Sequence, residues 1–168
     1  MKQPRKPTDY AQQHGKDERM YGERYEDPYQ ARGKYPEPSV CTGCGALFHK
    51  GRWQWGIAPA GAHKHLCPAC QRIHDRQPAG ILTIRGDFFA AHRQEILGLI
   101  HNAEAKERVE HPLQRVMKIE EGEDGVVVSL TDVHLTRTIG DDLHSAYEGE
   151  LDYEYVERAT VFRANWTR

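Results

Sequence analysis

The 168 residues are 38% hydrophobic and carry 23 Lys/Arg against 25 Asp/Glu, a formal net charge of −2 with the ten histidines neutral. That is enough apolar material for one modest domain and a small metal-stapled one, and too little for a large core. No run approaches the length of a membrane span, and the opening Met-Lys-Gln-Pro-Arg has no apolar stretch behind it, so neither a spanning helix nor a secretory signal is expected and the protein is placed in the cytoplasm.

Residues 1–38 are polar, rich in Lys, Glu, Gln, Pro and Tyr, and poor in aliphatic side chains. Such a segment buries too little apolar surface to offset its ordering entropy, so it is predicted to be a disordered N-terminal arm. Within it, Asp27 to Pro36 is the least random stretch. Its Arg32, Lys34 and Tyr35 suit an extended arm that folds onto RNA, and a plain solvated tail is the equal alternative.

All four cysteines of the chain fall between 41 and 70, as Cys41-Thr-Gly-Cys44 and Cys67-Pro-Ala-Cys70. A C-x-x-C turn aims two thiolates at one centre while its backbone N–H groups soften their charge. Two such turns complete a tetrahedral sulfur cage, the closed geometry of structural zinc, with one ion per chain. The segment 39–77 is therefore predicted to be a zinc ribbon with Cys41, Cys44, Cys67 and Cys70 as ligands. Two disulfides, or an iron site with the same ligands, are the rivals. His49, His63, His65 and His74 lie in or beside the ribbon, but four thiolates already fill a site.

Charge and aromatic residues decorate this cage. Residues 41–76 hold five Lys/Arg and one acid, a local +4, whereas 112–168 carries −6. Lys50, Arg52, Trp53, Trp55, Lys64, Arg72 and Arg76 combine cations for phosphate with flat faces for bases, the requirement of an RNA surface. Strand alternation in Arg52-Trp53-Gln54-Trp55 puts both indoles on one face. Packing of the ribbon is the other use for them, and the pattern does not separate the two.

After the ribbon, Pro78 to Gly86 reads as a short apolar strand. Asp87 follows as a helix N-cap, and Phe89, Ile96, Ile100 and Ala103 keep a helical period to about Glu110, ahead of Pro112. Glu104 to Arg108 reads as a solvated charged turn. Leu113, Arg115, Met117 and Ile119 alternate onto one side of a strand, Glu123-Asp124-Gly125 turns it, and 126–131 returns. Thr131 or Asp132 caps a second helix with the stripe Leu135, Ile139, Leu143 and Ala146, stopped by Gly149. Leu151–Tyr155 and Thr160–Trp166 form a last hairpin. The prediction for 78–168 is an α+β domain, in the order helix, two strands, helix, two strands, with two helices packed on an antiparallel sheet.

Several runs carry a resemblance: Tyr35 to Cys44, Phe48 to Trp53, Cys67 to Ile73, Pro78-Ala-Gly, Glu110 to Arg115 and Thr131 to Leu135. They resemble those of a small bacterial family of zinc-ribbon proteins, over about Asp27 to the C-terminus. That family looks like a shortened relative of the archaeal and eukaryotic large-ribosomal-subunit export adaptor, the nonsense-mediated-decay protein 3 family. Shared with it are the C-x-x-C knuckles and the helix start Thr131-Asp132-Val133. The adaptor has further knuckles and domains absent here, so the resemblance implies ribosome or rRNA binding without a nuclear-export role, and no activity.

Three functions follow from the sequence. The first is a ribosome- or RNA-associated protein that contacts structured or single-stranded RNA through the ribbon and arm. The second is a protein-interaction adaptor acting through the acidic C-terminal domain. The third, an enzyme, would need His134 beside Asp132, His144 near Asp141 and Asp142, or His92 with Asp87. A lone histidine on a charged helix is usually only that. No Gly-rich phosphate loop, nucleophile elbow or open His/carboxylate metal set accompanies them, so no catalytic residue is assigned.

Overall fold

A computed structural model describes residues 27–29, 35–154 and 161–168. Most of the predicted arm, with Arg32 and Lys34, lies outside these residues.

The first unit is a small sheet of four three-residue strands: β1 (Ser39–Cys41), β2 (Leu47–His49), β3 (Arg52–Gln54) and β4 (His63–His65), in the order β3-β2-β1-β4. The β2–β3 turn is Lys50-Gly51, both with positive φ (52° and 76°), as a two-residue hairpin matched to strand twist requires. Glu37 closes it: its carboxylate accepts from the Lys50 and Gly51 N–H groups at 2.8 and 2.9 Å. β4 returns after a longer excursion to pair in parallel with β1. Helix α1 (Pro68–Asp75) follows at once.

The second unit is a five-stranded sheet, β5 (Gly80–Arg85), β6 (Val116–Gly122), β7 (Gly125–Leu130), β8 (Glu150–Glu154) and β9 (Phe162–Thr167), in the order β6-β7-β5-β9-β8. Alternating burial along β5, β7 and β9 leaves one face apolar. Two helices cover it: α3 (Arg93–Arg108), with Ile96, Ile100 and Ala103, and α4 (Val133–Tyr147), with Leu135, Ile139 and Leu143. Trp166 is the largest fully buried side chain, and its indole N–H reaches the Glu148 carbonyl at 2.8 Å. The α+β architecture predicted from the sequence is thus present, a four-cysteine knot followed by helices on a sheet.

Some details differ from the sequence reading. The sheet is mixed, because β5 pairs with β9 in parallel from Gly80↔Phe162 to Arg85↔Thr167; the remaining pairings are antiparallel. The first helix is broken at His92 (φ −121°, ψ 25°), whose ring stacks on Phe88 at 4.0 Å, so a short α2 (Asp87–Ala91) precedes α3. Its N-cap is Gly86 rather than Asp87. Gly86 has φ 105°, and a Cβ there would sit 2.2 Å from the Arg168 carbonyl oxygen. Finally, β6 begins at Val116, with an irregularity between Val116 and Lys118, so Leu113 and Arg115 stand before the strand. Glu104 is no idle surface charge: its carboxylate accepts the Val116 N–H at 2.8 Å and pins the start of that strand.

The cap of α4 follows expectation. Asp132 is extended (φ −144°, ψ 139°) and accepts from the Leu135 N–H at 3.0 Å. Glu148 and Gly149, both with positive φ, end the helix. Ala146 alone of the predicted stripe is exposed.

Candidate metal centre

Cys41 closes β1, and the chain then turns through Thr42–Cys44 and Gly45 (φ 79°), with Gly45 N–H bonded to the Cys41 carbonyl at 2.9 Å. The second knuckle opens a helix. Cys67 is the extended N-cap of α1, Pro68 takes the first helical position where no N–H is needed, and the Cys70 N–H points at the Cys67 sulfur, 3.4 Å away. Gly43 lets the knuckles meet: a Cβ there would lie 2.8 Å from Cys70 Sγ.

This brings the four Sγ atoms within 4.8 Å of one another. The Cys44–Cys67 sulfur separation is 3.8 Å. A tetrahedron with metal–sulfur bonds of about 2.3 Å has edges of about 3.8 Å, whereas a disulfide needs about 2.05 Å. All four cysteines are free, and three are buried. Around them pack Ala46, Ala69, Trp53, Leu66 and Leu113.

The electrostatics fit a cation. Burial opposes charge on Cys41, yet N–H groups of Cys67, Cys44 and Gly43 directed at its sulfur outweigh it and bring the thiol down to about 7. The Cys67 N–H lies 3.2 Å and the Gly43 N–H 3.4 Å from that sulfur. Burial pushes the Cys44 and Cys67 thiols up, and the neighbouring negative sulfurs push the same way. Four thiolates in one small buried volume repel one another unless a positive ion sits among them. The cluster can therefore hold a metal ion. An all-sulfur set of four leaves no open position, so such an ion would hold shape and not bind substrate.

None of the ribbon histidines joins this set. His49 lies 3.9 Å from Glu37, and His74 contacts Asp75 at 2.9 Å. Beside the cage stands a residue the sequence reading passed over. Arg115 directs Nη1 at Cys70 Sγ, 3.1 Å away. Burial favours its neutral form, but the bond to Cys70 and the charge of the surrounding sulfurs prevail and raise its pKa.

The residues predicted to contact RNA separate into groups. Paired residues share a face of a sheet, as do residues two apart. The registers Val40↔Lys64, Val40↔Leu47, Leu47↔Gln54 and His49↔Arg52 therefore put Arg52, His49 and Lys64 on one face. Cys41, Phe48 and Trp53 belong to the other, cage-side face. Arg52, Lys64 and the turn residue Lys50 are exposed, as is Arg76 at the end of α1. Trp53 is half-buried, with its ring against Tyr35 (5.2 Å) and Phe48 (5.4 Å). Trp55, 40% exposed, lies beyond the end of β3 and is not held to the strand's alternation. Arg72 is not on the surface at all. Its side chain is 3% exposed, pairs with Asp27, bonds the Gln77 carbonyl and lies 4.3 Å from the Tyr29 ring centroid, which leaves no face for a phosphate.

Comparison with protein-family models and with curated proteins returns no match for this chain. Among the described residues no helix is long and apolar enough to cross a membrane. What fold and site define is a four-cysteine ribbon able to hold a metal ion, joined to an α+β unit.

Proposed function

We propose that the protein is a non-catalytic, cytoplasmic binding protein, stapled by one structural zinc ion, that associates with the ribosome or its RNA through the outer face of the ribbon. The observation that carries this reading is the division of the ribbon sheet. The cage and its aromatic packing occupy one face, and Arg52 and Lys64 stand exposed on the other, with Lys50 in the adjoining turn. A rigid basic face backed by a closed metal site suits phosphate contact, and Trp55, 40% exposed just past β3, leaves part of an indole open for stacking. The resemblance to the ribosomal-subunit adaptor points the same way.

The test is a lysate gradient. The protein is expected to co-sediment with ribosomal particles at low salt and to leave them as salt rises. Absence from those fractions in growth, stationary phase and stress removes the RNA reading. The adaptor reading then gains weight. It draws support from the exposed apolar side chain Val109 (71%) and from the acids Glu120, Glu121, Glu123 and Asp124 around the β6–β7 turn.

A further inference from the structure

The cage and the α+β unit meet through the connection between α3 and β6. Leu113 packs against the cysteine cluster, and Arg115, half-buried, donates from Nη1 to Cys70 Sγ at 3.1 Å. Neither position is left to chance. Thr131, buried just ahead of α4, donates its hydroxyl to the Leu113 carbonyl at 2.6 Å. The Arg115 N–H bonds the Thr131 hydroxyl oxygen at 2.9 Å, and the Thr131 N–H bonds the Arg115 carbonyl at 2.9 Å. Asp132, next in the chain, caps α4. Hydrogen bonds thus tie Thr131, the residue before the helix cap, to the backbone of Leu113 and Arg115, and the Arg115 side chain in turn reaches a cage sulfur.

The charge balance gives this contact a purpose. Four thiolates around a divalent ion retain a charge of about −2, and burial makes that costly. Guanidinium is permanently protonated and directional. The groups that act electrostatically on Arg115 are the sulfurs of Cys70, Cys44 and Cys67.

We infer that Arg115 is an outer-shell positioning residue of the metal centre. Its guanidinium offsets the charge of the sulfur cage and fixes the ribbon against the α+β unit, so that metal retention and docking of the two units are coupled. This rests on the proposal that the cage holds zinc.

The experiment uses the full chain, zinc-loaded and cobalt-substituted, as wild type, Arg115→Met, Arg115→Lys and Arg115→Gln. Outer-shell losses cost about 10–100-fold in metal affinity, and release of zinc to a chromogenic chelator is expected to be faster in Arg115→Met by about that factor. The sulfur-to-cobalt charge-transfer band should shift, and Arg115→Lys should restore part of both. Amide protection in β5, β7 and β9 should be unchanged, while protection across 109–116 should fall when wild type loses its metal. Should Arg115→Met be insoluble, Arg115→Gln keeps an N–H donor without the charge, and faster release from it supports the inference equally. Wild-type release rates and an unmoved band in the soluble neutral variants overturn it. Wild type that binds no metal instead overturns the zinc proposal, a separate result.

Discussion

Trp55 donates its indole N–H to the carbonyl oxygen of Arg108, 2.6 Å away, tying the ribbon to the last turn of α3. A carbonyl there has no partner within the helix, so the indole fills a vacancy every helix end presents. The Arg108 guanidinium lies 5.7 Å from the same ring centroid. Trp53, two residues earlier, has a buried indole nitrogen with no hydrogen-bond partner among the described residues, and serves the cage through its ring alone.

The two tryptophans should therefore fail differently. Trp55→Phe loses one hydrogen bond, about 1 kcal/mol, and should keep its metal. Trp53→Ala removes half-buried aromatic packing beside Cys41, about 2–4 kcal/mol, and should lower the metal-to-protein ratio. Denaturant titration with metal analysis of both variants checks this; equal metal loss in the two would contradict it.

Metal removal should act on one unit more than the other. The purified protein is expected to contain one zinc ion per chain. Such sites supply ~10–16 kcal/mol of apparent binding free energy in small fingers, far more than strands of three residues can replace. Chelation should therefore abolish amide protection in β1–β4, while the sheet around Leu82, Val128 and Trp166 remains protected. Cys44→Ser and Cys67→Ser should behave like the chelated protein. Native disulfides in a metal-free protein, seen by mass spectrometry, would refute the zinc assignment.

Gly43 gives a sharper test of the cage geometry. A methyl group there would meet Cys70 Sγ at 2.8 Å, inside any ordinary contact, and a sulfur that ligates the proposed zinc could not move aside. Gly43→Ala should weaken metal retention with little effect on the α+β unit. At Gly45 the surrounding space is open and only φ (79°) objects, so Gly45→Asn, tolerant of that region, should keep its metal. Competition with a chelator ranks the two.

What the sequence disclosed follows from what each signal measures. Cysteine spacing reports chemistry directly, so the cage is legible in the residues alone. The stripe Leu135, Ile139 and Leu143 reports a buried face, and the helix followed. Periodicity says nothing about which strands become neighbours, so the parallel pairing of β5 with β9 was hidden. It also misleads where a run crosses a boundary. Leu113 and Arg115 alternate in phase with Met117 and Ile119, yet the strand starts only at Val116, and the earlier two turn to the cage. Arg115 looked like one more strand charge because its partner, Cys70, lies 45 residues away.

Arg72 shows the same limit from the other side. Counted as one of five cations, it proves to be an internal strut between α1 and Asp27. Removing one member of a buried pair leaves the other unpaired, at about 3 kcal/mol or more. Arg72→Ala should lower thermal stability accordingly. Its effect on RNA binding should be no larger than that loss of folded protein explains.

Arg52 and Lys64 should behave in the opposite way. Both are exposed on the sheet face away from Cys41, so Arg52→Glu with Lys64→Glu should leave zinc content and melting temperature essentially unchanged. A contact dominated by phosphate weakens with salt, by roughly 0.7 in log–log slope for each phosphate neutralised on a single strand. Loss of both cations should flatten the slope by about 1.4 and weaken RNA binding, with ribosome co-sedimentation lost first at the higher salt concentrations. Arg76, exposed at the end of α1 and off this sheet, should matter less. Unchanged and salt-insensitive co-sedimentation of the charge-reversed protein would move the contact off the ribbon. The acidic α+β unit would then be the docking surface, and a protein component of the particle its partner.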